Sequence, residues 1–164
     1  MVFKNLSRPV ATLLAFVGSF GVSVPAGAAI GFLVTVLWFN NTRADGVAVF
    51  FIAAIAGGVF VSVVVFASIV SRHHVPSRAV VLLPAGLWLI VAIQSTWRTC
   101  KGAFITWQNV VWILQSGDQR NYELRWLFRG WLAIALSLGA ALFAARLIVQ
   151  RRRADSPESS EGTP

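Results

Sequence analysis

Charged residues fall along this chain in clusters separated by long apolar runs. No charge lies between Arg8 and Arg43, between Asp45 and Arg72, or between Arg78 and Arg98. A fourth run begins near Trp126 and ends near Val149, with Arg129 close to its start and Arg146 close to its end. A helix needs about 20 apolar residues to cross a bilayer core of roughly 30 Å. The runs are continuous rather than alternating, and too few to close a barrel. The pattern therefore predicts an all-α integral membrane protein with about four transmembrane helices, near 17–39, 47–70, 79–97 and 130–149. A single bundle is expected over 1–153, followed by a Ser-, Glu- and Pro-rich tail over 154–164 that cannot bury a core and is expected to be disordered.

The first run is long for one span. Residues 9–39 would measure about 46 Å as a helix, and Pro25 sits near the middle. A proline there removes a backbone hydrogen bond and clashes with the preceding turn. Two outcomes are expected: a kinked, tilted span, or a short interfacial helix followed by a span. A signal peptide is a third reading, with Lys4 and Arg8 as its basic start, 10–22 as its apolar stretch and Ala26-Gly27-Ala28 as a cleavage site. The chain stays apolar over 29–39, beyond that site, which favours retention of the segment.

Composition strengthens the membrane reading. Of 164 residues, 57% are hydrophobic and only 12% charged, against roughly 25% charged in soluble domains. Mean hydropathy is +0.72. The net charge of +8 is spread over the ends and loops of apolar segments, so nucleic acid is not an expected partner. Cys100 is the only cysteine, which excludes an intrachain disulfide and a Cys-rich zinc site. Basic residues also set an orientation. Arg151-Arg152-Arg153 directly follows the last run and is expected to stay in the cytoplasm. Four spans then place the N-terminus inside as well, in the plasma or inner membrane. Trp38, Trp97, Trp126 and Trp131 fall near the predicted outer face, where indoles favour the headgroup region. Trp88 is mid-span, and its N–H is expected to meet a carbonyl or hydroxyl of a neighbouring helix.

Small residues recur at the spacing that lets membrane helices approach closely. The first run has Gly27 and Gly31, the second has Ala53, Ala54, Gly57, Gly58 and Ser62, and the fourth has Ala133, Ser137, Ala141 and Ala145. This pattern leaves open whether the partner helix is in the same chain.

The connection over 98–129 is longer than most loops and too aromatic for a linker. Phe104, Trp107, Val110, Val111 and Leu114 recur at helical spacing, which predicts an interfacial helix, with a shallow re-entrant helix as the alternative. A second short helix is expected from Asn121 into the fourth span. Tyr122, Arg125, Trp126 and Arg129 would share one of its faces, with Leu124, Leu127, Phe128 and Trp131 on the other. Those first four residues are the candidate binding site, for an anionic lipid or a partner protein. Ordinary snorkelling arginines beside aromatic anchors are the plainer alternative.

Candidate chemistry is sparse. All six acidic residues lie outside the four runs, which disfavours a proton or sodium relay. Asp45 is placed to cap the second span. Gln94 and Ser95 are the nearest polar groups to the third span's interior and are expected to bond between helices. His73-His74 lie in a short basic loop, where adjacent histidines point about 100° apart and chelate poorly. No phosphate loop, nucleophile elbow or HExxH motif is present. No catalytic residue, cofactor or metal is expected. The expected role is a non-catalytic multi-pass membrane subunit or accessory protein, packing with itself as a homo-oligomer or with a larger membrane complex. The alternative is a small oligomeric transporter or channel for an uncharged or anionic solute, with Arg98, Lys101, Arg125 and Arg129 at its outer mouth.

Overall fold

A computed structural model describes residues 8–39, 46–72, 77–102 and 120–154, with side chains for all of these except 39, 99–102 and 120–125. The described residues are helical apart from short turns, and none forms a strand. Five helices follow in order. These are α1 (Arg8–Phe39, 32 residues) and α2 (Gly46–Val70, 25 residues), then α3 (Arg78–Val81, 4 residues), α4 (Leu83–Gly102, 20 residues) and α5 (Arg120–Ala154, 35 residues). Within α1, α2 and α5, the stretches Arg8–Trp38, Gly46–Val70 and Trp126–Ala154 are long and apolar enough to cross a membrane. The described residues are therefore all-helical, with three candidate spans among them. The expected third span corresponds to α3 and α4 and is not among them. The last turns of α4 carry Gln94, Ser95, Thr96 and Arg98, which shorten its apolar stretch.

Local chemistry explains the element ends. Pro9 sits in the first turn of α1, where its missing N–H costs nothing. Pro25 lies inside α1, and the helix continues through it. The interfacial-helix outcome for the first run is thereby excluded. Gly21, whose carbonyl would have bonded residue 25, has open space around it, so the turn can relax there. The third run, in contrast, is broken. Ser77 caps α3 by accepting from the Val80 N–H, and Leu82 closes it with its N–H directed to the Ala79 and Val80 carbonyls. Pro84 then occupies the first turn of α4. The short helix expected from Asn121 and the fourth span form one continuous helix, α5. Ala154, assigned to the tail, is the last residue of that helix. Asp45, His73-His74, the aromatic stretch within 103–119 and residues 155–164 fall outside the described residues, as does the Cys100 side chain.

The bundle is organised around α2, which packs against α1, α4 and α5. Glycines set the α1–α2 approach. A Cβ on Gly27 would lie 2.6 Å from the Ala54 carbonyl oxygen, and one on Gly31 would lie 2.8 Å from that of Phe50. Further along, Phe16 meets Phe66 edge-on, with ring centroids 6.4 Å apart. These pairings make α1 and α2 antiparallel. Ile55, Val59, Val63 and Ala67 form the spine of the core along one stripe of α2. Ala85, Trp88 and Ala92 of α4 and Ile134, Ala141 and Ala145 of α5 complete the same cluster. The ridge of small residues on α5 thus finds its partner within the chain, and the Ser137 hydroxyl donates to the Ala56 carbonyl of α2. Gly130 of α5 faces Ile52, so α2 and α5 run in the same direction.

Trp88 is the central cross-link. Its ring lies against Gly58, where a Cβ would overlap ring carbons. It packs on Phe20 with centroids 5.6 Å apart. Its Nε1 donates to the Ser23 hydroxyl at 3.1 Å, and that hydroxyl donates to the Phe20 carbonyl at 2.8 Å. The expected hydroxyl partner is present. The outside of the bundle is apolar: Leu13 on α1, Val47 on α2, Ile90 on α4 and Leu136 on α5 are all exposed. Large exposed apolar area of this kind marks a surface covered by something other than water, which agrees with a membrane location.

Candidate functional site

Helices α4 and α5 both lean on α2 but touch each other little. Between the C-terminal half of α4 and the N-terminal half of α5 a cavity of about 550 Å³ remains. Its floor is α2, through Phe51, Ile52 and Ile55. The close approach of α5 at Gly130 brings Trp126, Leu127 and Trp131 to its wall. The opposite wall is Ala92, Ser95, Thr96 and Arg98 of α4. A bond joins the two walls: Trp131 Nε1 donates to the Thr96 hydroxyl at 3.1 Å, and that hydroxyl donates to the Ala92 carbonyl at 2.9 Å. Both half-buried donors of this bond are thereby paired, as an apolar setting requires.

Arg129 lies over the Trp126 ring, its guanidinium carbon 5.3 Å from the centroid. This cation–π contact is worth about 0.5–1 kcal/mol at an exposed site. It holds the indole at the cavity edge while the charge stays exposed. The lining is mostly apolar, with Arg98 as the one charged member among the described residues. Such a cavity can hold an apolar chain or a helix face and can favour an anionic group at its rim.

All four candidate residues, Tyr122, Arg125, Trp126 and Arg129, belong to α5. Trp126 and Arg129 are brought together, with Trp126 on the cavity and Arg129 above it. The side chains of Tyr122 and Arg125 are outside those described, as is that of Lys101. The expected division of faces needs correction. Trp126 and Leu127 both line the cavity, because the gap between α4 and α5 is wide enough to admit two adjacent residues. Phe128 is 70% exposed, whereas Trp131 turns toward α4, so these two do not share a face. Gln94 is exposed and Ser95 borders the cavity. Thr96, which the sequence reading passed over, makes an interhelical bond to Trp131. The available signal was helical spacing, since Thr96 continues the buried stripe Ala85, Trp88, Ala92. Among the described residues there is no group of three or more His, Cys, Asp or Glu side chains able to hold a metal ion.

Comparison with family models, with curated proteins and with solved structures finds no match for this chain.

Proposed function

We propose that this chain is a non-catalytic multi-pass membrane subunit or accessory protein with four spans, packing with itself or with a larger membrane complex. The observation that carries the reading is how the bundle uses its interior polar groups. Trp88 bonds Ser23, Trp131 bonds Thr96, Ser137 bonds the Ala56 carbonyl, and Ser19 and Ser62 bond carbonyls of their own helices. Two indoles and the Ser137 hydroxyl join helices, and the other hydroxyls are satisfied within their own helix, which supports a structural role. Catalysis would call for an acid, base or nucleophile held ready in that interior.

The fourth span rests on the placement of α3 and α4. Trp88 meets Ser23 and Gly58, near the middles of α1 and α2. Val81 belongs to the core at one end, while Thr96 pairs with Trp131 toward the other. Twenty residues of helix measure about 30 Å, the thickness of the hydrocarbon core. Ile90 and Ile93 point away from the bundle and are exposed, as lipid contact requires. The triple arginine in the last turn of α5 then favours a cytoplasmic C-terminus, with the N-terminus on the same side, in the plasma or inner membrane.

A second reading has its own observation. Arg98 borders the outer cavity beside Ser95 and Thr96, an arrangement suited to the mouth of a small oligomeric channel for an uncharged or anionic solute. Purification of the tagged chain in mild detergent separates the two. A foreign protein retained in fixed stoichiometry, or a compact dimer without solute flux, is the expected result. A ring of identical chains that conducts solute in liposomes would replace the subunit reading with the channel.

A further inference from the structure

At the other end of the gap between α4 and α5 lies a second cleft of about 600 Å³. Arg78 of α3 and Arg146 and Arg153 of α5 line it together, with Gln150 beside them. Below these groups the lining is apolar, through Val81, Leu142 and Val149. Leu82 and Leu142, at its edges, are exposed on the apolar outside of the bundle. The cleft therefore opens sideways, with cations at one end and hydrocarbon along its length.

We propose that this cleft binds one anionic phospholipid, its phosphate held by Arg78, Arg146 and Arg153 and an acyl chain lying along Val81, Leu142 and Val149. The inference rests on the bilayer placement of α4 and α5 proposed above. Charge complementarity argues for an anion. Three guanidinium groups around a low-dielectric cleft repel one another, and a phosphate between them turns that cost into attraction. The planar fork of arginine matches phosphate oxygens. The apolar lining and the side opening argue for a lipid over a free anion, since a soluble phosphate would leave the hydrocarbon part of the cleft unfilled. The proposed orientation puts this end at the cytoplasmic leaflet, whose anionic lipids attract basic groups. Arg151 and Arg152 are on the same turn of α5 but do not line the cleft, which separates a built site from diffuse attraction.

The test uses the full chain in nanodiscs containing phosphatidylglycerol and phosphatidylcholine of identical acyl chains, with retained lipid counted by native mass spectrometry. One phosphatidylglycerol is expected to stay bound in preference to phosphatidylcholine. Arg146→Gln and Arg78→Gln should each lower that preference about fivefold, the effect of one basic residue near an anionic surface. Arg151→Gln, with the same loss of charge, should leave it within about twofold. Val149→Trp fills the apolar part and should abolish retention with every arginine in place. Glycerol phosphate, which has the anion without the chains, should not compete at millimolar concentration. Equal losses for Arg151→Gln and Arg146→Gln would overturn the site in favour of general electrostatics. Retention that appears only in Asp155→Asn/Glu158→Gln would overturn it in favour of the chain's own acidic tail. Flotation with pure phosphatidylcholine vesicles tests the bilayer reading separately, because it does not depend on the cleft.

Discussion

Leucine in place of Gly27 is expected to separate α1 from α2 and to lower stability by about 3 kcal/mol or more, the upper range for overpacking. The cause is geometric. Even the first carbon of a side chain would sit 2.6 Å from the Ala54 carbonyl oxygen and 3.2 Å from the Gly58 nitrogen. Both obstacles are backbone, so no rotamer change relieves the overlap, and α1 must move outward. That movement also loosens Gly31 from Phe50 and Ala54, because the two glycines are one turn apart on the same face. Gly18 provides the control. A Cβ there meets nothing within 4 Å, and Gly18→Leu should change stability by less than about 0.5 kcal/mol, as for an open surface position. Denaturant titration of the purified protein in micelles measures both. Equal effects at the two positions would mean that α1 does not approach α2 through Gly27.

Removal of the Trp88 side chain is expected to cost about 3–5 kcal/mol, the range for deleting a large buried aromatic. The ring is 8% exposed and fills the space between Phe20, Gly58 and Ser23. Its loss leaves a void whose lining forfeits dispersion contacts, and hydrocarbon surroundings do not restore them. The hydrogen bond is the smaller part. Trp88→Phe keeps most of the ring but removes the N–H, and interhelical bonds in membranes average about 0.6 kcal/mol, with a maximum near 1.7. Trp88→Phe should therefore fall far closer to wild type than Trp88→Ala, and Ser23→Ala should resemble Trp88→Phe. The same micellar titration reads these differences. Similar losses for Trp88→Phe and Trp88→Ala would make the hydrogen bond, and not the packing, the tie that holds α4.

Much of this fold was legible in the sequence because charges mark where apolar helices stop. Arg72 stands two residues beyond α2, which ends at Val70, and the arginines at 151–153 close α5. Glycine spacing marked the faces of α1 and α2 that approach closely, though not that they meet each other, and a mid-run indole demanded the partner found in Ser23. Other features depend on tertiary placement. Pro25 reads as a break, yet the helix continues, since nearby Gly21 has room to relax. Pro84 lies inside the expected third span and does mark a break, because Ser77 and Leu82 close a separate turn ahead of it. Nothing local distinguishes the two prolines. The arginines divide in another way. Tyr122, Arg125, Trp126 and Arg129 stand close in sequence and drew attention as a site, whereas Arg78, Arg146 and Arg153 are far apart and converge only once α3 and α5 are set on α2. The gap between α4 and α5, which creates both cavities, follows from how each helix leans on α2, and no single segment encodes it.

The central claim is that α4 crosses the membrane as part of a four-span bundle. The sole native cysteine, Cys100, lies at the end of α4 and provides the most direct test. Residue 74 precedes α3 at the other end. In intact cells a membrane-impermeant maleimide should modify Cys100, while His74→Cys in a Cys100→Ser background should react only after permeabilisation. Modification of both positions from the same side of the membrane would show that α4 does not cross, and would contradict the four-span account.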